Sequence, residues 1–331
     1  MRSAIMLWLV LALAAAGAAG AQNARSGSRL AKVPGRTYVR VADWAKAHSL
    51  EGHWLKAEEM LELKGPSLKL ALAVDSREAR VNGIEVWLLY PVVLQAGAIW
   101  LAQLDVDLTL EPLVRPPRNQ PGARIKTVCL DPGHGGKDPG NQAGSNQEKR
   151  YTLLLAHEVR RQLARAGLKV VLTRSSDTVV ELPARPALAK RRKADLFVSL
   201  HFNGADNGRN SVQGAEVYCL TPAGAASTNA RGEGAGAGSY AGNRNNRLNL
   251  FLAYQVQSAL MRNLAVEDRG VRRARFAVLR DAVMPAVLIE AGFMSHPVEG
   301  RKILTSAYRQ QIARAIVKGL LAYKQAVERG A

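Results

Sequence analysis

Residues 124–326 alternate between short apolar segments that are typical of buried strands and longer segments that are typical of helices. The predicted strands are KTVCLD, LKVVLTR, ADLFVSLHFN, GAEVYCL, RFAVLR and PAVLIEAGF, with helical segments between most of them. Strands that alternate with helices indicate an α/β fold, in which a mostly parallel sheet carries helices on both faces. In such a fold, ligands bind beyond the carboxyl ends of the strands.

A second predicted unit, residues 38–113, is small and rich in β-strands. One helix-like segment is followed by several short strand-like segments, and Asn82-Gly83 lies between β-formers, which is a strong hairpin signal. Three prolines then fall within residues 114–123, which predicts a linker to the α/β domain. The sequence therefore predicts a β-rich accessory domain in front of the larger domain.

The first 21 residues are typical of a secretory signal peptide. Arg2 precedes an apolar run from Ala4 to Ala19, and Ala19-Gly20-Ala21 matches an A-x-A cleavage pattern. A polar linker, residues 22–37, follows. The alternative is an uncleaved membrane anchor, although the run is slightly shorter than the roughly 20 apolar residues of a spanning helix. We predict an exported protein of the periplasm or cell envelope.

The chain is strongly basic, with a formal net charge of +19. Such a charge favours nucleic acid, anionic membrane surfaces or acidic wall polymers as partners. Export makes nucleic acid a poor partner, so anionic envelope polymers are the better match. The two cysteines, Cys129 and Cys219, are too few for a disulfide framework. Both lie in strand-like segments, which favours buried thiols, while a single disulfide stays open as the alternative.

Four candidate site residues lie near predicted strand ends or a helix start. His134, His201 and Glu290 follow or end strands, and Glu148 stands in a polar turn before the first helix of the α/β region. Two histidines and a carboxylate suit zinc, and a catalytic zinc site keeps one position open. A further carboxylate is then needed to move protons. The sequence thus predicts a metal-assisted hydrolytic site at the sheet edge.

The glycine-rich segment DPGHGGKDPG around His134 has a second interpretation as a phosphate-binding loop. It matches neither G-x-x-x-x-G-K-[ST] nor G-x-G-x-x-G, and its aspartates disfavour an anion. We therefore interpret the segment as a turn that presents His134. A different Gly-rich segment, Thr221–Arg247, has almost no apolar residue larger than alanine and is predicted to be a lid, a regulatory loop or a mobile segment.

The α/β region closely resembles the zinc-dependent N-acetylmuramoyl-L-alanine amidases of the Amidase_3 family. The resemblance rests on DPGHGGKDPG, EK, VVLTR, ADLFVSLHFN, GAEVY, DRGVRRARFAVLR and MPAVLIEAGFMSHP, which occur in the family's order. It implies one Zn²⁺ with His134, Glu148 and His201 as ligands. It also implies that Glu290 is the catalytic glutamate and that Asn203 assists substrate binding.

The resemblance further implies a secreted enzyme that hydrolyses the amide between N-acetylmuramic acid and L-alanine in peptidoglycan. Two alternatives stay open: another envelope zinc peptidase, and a non-catalytic protein that binds the cell wall. Residues 38–113 resemble, more loosely, the small domains named after the N-terminus of copper amine oxidase, which implies a wall-binding or positioning role. A protein activator that acts through Thr221–Arg247 is a further candidate partner.

Overall fold

The computed structural model describes residues 30–33, 36–120, 122–205, 207–208, 210–229, 234–235 and 238–329. The predicted signal peptide lies outside the described residues, as does most of the predicted linker that follows it. Across the described ranges, no helix combines the length and the apolar character needed to cross a membrane.

The secondary structure follows the alternation predicted for the C-terminal region. The strands are β1 Leu30–Val33, β2 Arg36–Arg40, β3 Glu51–Lys56, β4 Met60–Lys64, β5 Lys69–Ala73, β6 Glu78–Val81, β7 Ile84–Trp87, β8 Val93–Gln95, β9 Ala98–Ala102, β10 Thr127–Pro132, β11 Gln142–Ala143, β12 Asn146–Gln147, β13 Lys169–Leu172, β14 Leu196–Asn203, β15 Ala215–Leu220, β16 Asp268–Ala274 and β17 Ala286–Phe293. The helices are α1 Val41–Ala47, α2 Gln103–Asp105, α3 Glu111–Val114, α4 Glu148–Arg165, α5 Ala184–Arg191, α6 Asn246–Asn263, α7 Ala277–Arg280, α8 Pro297–Ile303 and α9 Ser306–Glu328. A π-helical turn spans Val106–Leu110, and a 3₁₀ turn spans Ala241–Asn245.

An 11-stranded sheet organises the described part of the chain, in the order β13-β10-β14-β17-β15-β16-β7-β6-β5-β4-β3. Strands β13, β10, β14 and β17 are parallel to one another. Strand β15 runs antiparallel to β17 but parallel to β16. The predicted α/β fold with a β-rich N-terminal region is confirmed, and the sheet as a whole is mixed.

Helices cover both faces of the C-terminal part of the sheet. Along β10, Val128 and Leu130 pack into the core that holds α4, α6 and α9, whereas Cys129 packs into the core that holds α5 and α7. Because successive strand residues point to opposite faces, these two cores lie on the two sides of the sheet. All three strand residues are completely buried.

The two cysteines are buried free thiols. Cys129 belongs to the core under α5 and α7, whereas Cys219 on β15 belongs to the core under α4, α6 and α9. The sheet therefore separates the two sulfur atoms. A disulfide between them, which the sequence left open, is incompatible with this arrangement because bridged cysteines need neighbouring Cβ atoms.

The β-rich unit is joined to the α/β part through the sheet itself. Strands β3 to β7 form an antiparallel meander, and β7 pairs in parallel with β16 at Val86 and Val271. A separate four-stranded sheet, β1-β2-β9-β8, belongs to the same region. The predicted domain bounds at 113 and 124 stay predictions, but the strands on either side of them share one sheet.

One predicted strand, RFAVLR at residues 275–280, is wrong. Strand β16 ends at Ala274, and Ala277–Arg280 forms the short helix α7. Strand β16 already runs beside β15 from Asp268 to Ala274, where its partner strand ends at Leu220. The next residues have no strand to pair with, and they turn so that Val278 and Leu279 enter the core beside α5.

Candidate metal centre and active site

Three of the predicted site residues meet at one end of the parallel strands. His134 follows β10, His201 lies near the end of β14, and Glu148 is the first residue of α4. One ligand atom from each residue lies within 4.8 Å of the others. Glu148 bridges the pair, because its Oε2 lies 3.0 Å from His134 Nε2 and its Oε1 lies 3.0 Å from His201 Nδ1.

The carboxylate of Glu148 is held rigidly at the centre of this cluster. Its residue is only 1% exposed. The backbone N and the side-chain Nδ2 of Asn141 donate to Oε2 at 2.9 and 3.0 Å, and the backbone N of Phe202 donates to Oε1 at 3.0 Å. Sequence analysis did not single out Asn141, which lies seven residues before Glu148 in an irregular loop.

The ring of His134 is oriented by a second carboxylate. Its Nδ1 lies 2.8 Å from Asp138 Oδ2, which leaves Nε2 facing Glu148. A carboxylate on the far nitrogen is the usual way in which proteins orient a metal-ligating histidine. Sequence analysis missed Asp138, although an acidic residue four positions after a loop histidine was a usable signal.

Two glycines of the His134 loop leave space for the cluster. A Cβ atom on Gly133 would lie 2.2 Å from His201 Cε1, and a Cβ atom on Gly140 would lie 2.6 Å from both Glu148 Oε2 and His134 Cδ2. Gly140 also has a φ of +66°, which side chains rarely adopt. The glycines of this loop are therefore needed for close approach of the candidate ligands.

Two buried arginines fix the backbone of the same loop. Arg174 Nη2 donates to the carbonyl of Gly133 at 2.8 Å. Arg185 Nη2 donates to the carbonyl of His134 at 3.0 Å, while its Nη1 pairs with the buried carboxylate of Asp131 at 2.8 Å. Both guanidinium groups donate to backbone carbonyls of the His134 loop, so these residues shape the loop.

Glu290 lies beside the cluster, on the central strand β17. In the strand pairing it stands opposite His201 on β14 and opposite Glu216 on β15. Its Oε2 is enclosed and has no hydrogen-bond partner among the described residues. Burial, followed by the negative charges of Glu148 and Glu216, raises the pKa of Glu290 well above that of an ordinary glutamate.

Asn203 is tied to a buried carboxylate that sequence analysis missed. Its Nδ2 donates to Glu216 Oε1 at 2.9 Å, and its Oδ1 accepts from the backbone N of Gly204 at 2.9 Å. Glu216 is 3% exposed. The motif GAEVY contains Glu216, but the sequence alone does not distinguish this glutamate from an ordinary strand residue. Its significance follows only from the pairing of β15 with β17.

The electrostatics of the cluster match a cation-binding role. Burial raises the pKa of Glu148, but hydrogen bonds from His134 and His201 and their charges outweigh burial and lower it overall. Glu290, whose Oε2 is buried and has no partner among the described residues, stands opposite His201 in the strand pairing. Two imidazoles and one carboxylate kept ionised form a donor set that fits Zn²⁺.

An α/β sheet with a His–Glu–His cluster and a further carboxylate at its edge is typical of metal-dependent hydrolases. The sequence profile of the Amidase_3 family, described as N-acetylmuramoyl-L-alanine amidase, matches residues 128–322. This chain belongs to that family. The match begins inside β10, so it does not extend over the β-rich N-terminal unit.

Individual relatives agree with this assignment. The N-acetylmuramoyl-L-alanine amidase AmiC of Neisseria meningitidis is 34% identical over 243 residues, which cover 66% of this chain and 57% of that protein. The amidase AmiA of Escherichia coli is 34% identical over 263 residues, which cover 70% of this chain and 90% of that protein. The solved structure of the amidase AmiC2 of Nostoc punctiforme is 34% identical in sequence and has a TM-score of 0.51. The match covers 62% of this chain and 99% of that chain.

Proposed function

We propose that this chain is an exported, zinc-dependent N-acetylmuramoyl-L-alanine amidase. Its reaction is hydrolysis of the amide that joins the lactyl group of N-acetylmuramic acid to L-alanine in peptidoglycan. The observation that carries the proposal is the His134–Glu148–His201 cluster, packed against the enclosed carboxylate of Glu290. Family membership supplies the substrate class.

One Zn²⁺ would be held by His134, Glu148 and His201. When bound, it would lower the pKa of water and polarise the substrate carbonyl. Asp138 keeps the His134 ring in the orientation that turns Nε2 inward. Asn141 anchors Glu148, so the third ligand cannot swing away from the two imidazoles.

Glu290 would act as the general base and then as the general acid. Its Oε2 has no competing partner among the described residues, and its raised pKa favours the protonated form that delivers a proton to a leaving amine. It would take the proton from the attacking water and deliver it to the departing amine of L-alanine. Its place opposite His201 in the strand pairing supports this role.

Asn203 would assist substrate binding with limited capacity. Its Oδ1 and one Nδ2 hydrogen are already used by Gly204 and Glu216, which leaves one N–H for a substrate oxygen. The amide would thus contribute a single oriented donor.

Three further parts of the proposal concern regions outside the cluster. The signal peptide would deliver the enzyme to the periplasm or cell envelope, where its basic surface meets anionic polymers. The β-rich unit would bind or position the cell wall, in line with its resemblance to the copper amine oxidase N-terminal domains. A protein activator would act through the Thr221–Arg247 segment.

The test compares wild type with Glu290→Gln on purified peptidoglycan. Wild type is expected to release free stem peptides that begin with L-alanine, identified by mass spectrometry, and to lose activity with a chelator. Glu290→Gln should lose at least about 100-fold in turnover while zinc per protein, measured by elemental analysis, stays the same. Glu59→Gln, which changes an exposed glutamate between β3 and β4, is the matched control.

Other products would select the alternatives. Shortened stems on intact muramic acid would indicate an envelope peptidase, and sedimentation with peptidoglycan without any product would indicate a wall-binding protein. Wild-type turnover in Glu290→Gln would reject this residue as the base.

A further inference from the structure

The side chain of Glu216 on β15 has four polar partners. Its Oε1 accepts from Asn203 Nδ2 at 2.9 Å and from the hydroxyl of Tyr218 at 2.8 Å. Its Oε2 pairs with Arg272 Nε at 3.0 Å and with Arg269 Nε at 3.3 Å. A buried carboxylate with four partners is a fixed point, since moving it breaks several charge-assisted hydrogen bonds at once.

The carboxylate of Glu216 lies beside Glu290, the proposed general base. Glu216 and Glu290 stand directly opposite each other in the antiparallel pair of β15 and β17. Residues opposite each other in such a pair share one face of the sheet, with Cβ atoms about 5 Å apart. The amide of Asn203, which Glu216 holds, comes from the same strand as His201 and lies two residues beyond it.

The other side of Glu216 leads to the N-terminal unit. Arg272 stacks on Trp87 of β7, with its guanidinium carbon 4.2 Å from the centre of the indole ring. The indole Nε1 of Trp87 donates to the carbonyl of Arg269 at 3.2 Å. One aromatic side chain of the β-rich unit therefore contacts both arginines that pair with Glu216.

Trp87 lies before the segment that the Amidase_3 profile matches, residues 128–322. In this chain the catalytic sheet continues into β7, and Trp87 follows the paired residue Val86 by one position. The support for Glu216 thus comes partly from a residue outside the segment that the family profile matches.

We propose that Glu216 is a positioning residue of the active site, which orients Asn203, and that Trp87 of the N-terminal unit supports it by holding Arg272 and Arg269. The kinetic consequence rests on the proposed amidase function. The proposed contacts of Glu216 with Asn203 and with the two arginines do not depend on that function. The N-terminal unit would then be a structural component of the catalytic site in addition to any role in wall binding.

The kinetic test uses Glu216→Gln and Trp87→Leu. Glutamine keeps the shape of the side chain but loses its charge, so the two arginines are held less firmly. We expect kcat to fall about tenfold in Glu216→Gln and less in Trp87→Leu, with KM and zinc content close to wild type. Combining Glu216→Gln with Asn203→Ala should lower kcat by less than the product of the two single effects, because both act through the same amide.

Matched controls separate this effect from general destabilisation. Glu62→Gln removes a buried carboxylate that pairs with Lys69 and His53 on the far side of the meander. Trp54→Leu removes a tryptophan that is 40% exposed on the edge strand β3. Both controls should keep wild-type kcat, and thermal melting of all variants shows whether any loss follows stability alone.

A second measurement does not depend on activity. The side-chain amide signal of Asn203 in ¹⁵N-labelled protein, assigned by its loss in Asn203→Ala, should shift in Glu216→Gln and Trp87→Leu but not in Trp54→Leu. An unshifted signal in both variants would overturn the contact network, and a shifted signal with wild-type kcat would overturn the positioning role. Absence of stem-peptide release by wild type would instead reject the amidase function and leave the geometric result readable.

Discussion

The substitution Gly133→Ala tests whether the space around the cluster is as tight as the structure indicates. An added Cβ would lie 2.2, 2.4 and 2.7 Å from three ring atoms of His201. Ordinary van der Waals contact begins near 3.4 Å, so the closest approach is short by 1.2 Å. The new methyl group meets one whole side of the ring, and the imidazole must move away as a unit.

The backbone of Gly133 cannot retreat to make room. Its N–H donates to the carbonyl of Leu200 at 3.0 Å, and its carbonyl accepts from Thr152 Oγ1 at 2.9 Å and from Arg174 Nη2 at 2.8 Å. The displacement therefore falls on the side chain of His201. That movement breaks its 3.0 Å contact with Glu148 and misplaces a candidate ligand by about 1 Å, which costs roughly 100-fold in rate.

The assay measures kcat/KM for release of stem peptides from purified peptidoglycan, together with zinc per protein. Gly133→Ala is expected to lower kcat/KM about 100-fold and to reduce zinc retention during dialysis. Gly234→Ala is the control, because a Cβ there meets nothing within 4 Å and the backbone is not left-handed. Wild-type kcat/KM and zinc content in Gly133→Ala would refute the claim that His201 fills the space over this glycine.

Two further predictions concern buried ionisable groups. Burial, and after it the charge of Asp131, raises the pKa of the Cys129 thiol to about 12, and burial also raises the pKa of the Cys219 thiol. Iodoacetamide at pH 8 should therefore label neither thiol until the protein is unfolded. Labelling of the native protein, detected by mass spectrometry, would contradict the burial of the thiols. Burial raises the pKa of Asp105 to about 6, above about 3.9 in the unfolded chain, so the folded state binds the extra proton and the free energy of unfolding falls by about 2 kcal/mol as pH rises from 4 to 7. Urea unfolding at the two pH values should show that Asp105→Asn removes this loss, and an equal pH dependence in both proteins would contradict the raised pKa.

The sequence predicted the strands that carry the site because their apolar runs are continuous. Strands β10, β14 and β17 are almost completely buried, and the candidate residues directly follow β10 or lie in the second half of β14 and β17. That pattern is sufficient to place His134, His201 and Glu290 at one edge. Glu148 was harder to place from periodicity, because its position depends on how the loop after β10 folds back to α4.

The residues that escaped the sequence analysis act through contacts between distant strands or within irregular loops. The role of Glu216 depends on Glu290, which lies 74 positions later in the sequence, and on Trp87, which lies more than a hundred positions earlier. Asp138 and Asn141 lie close to the ligands in sequence, but their roles depend on a loop whose turns are set by Arg174 and Arg185. Hydrophobic periodicity carries no information about either kind of contact.

The reversal of β15 explains how the N-terminal unit comes to lie near the active site. In a parallel arrangement the start of β15 would lie at the end of the sheet opposite the cluster, whereas the antiparallel pairing places Glu216 opposite Glu290. Strand β16 follows β15 in parallel, so its first half lies at the same edge, and β7 joins it at Val271. The direction of one strand thus brings Trp87 within reach of the arginines around Glu216. A change at Trp87 should therefore affect the site edge directly, because its indole ring contacts both Arg272 and Arg269.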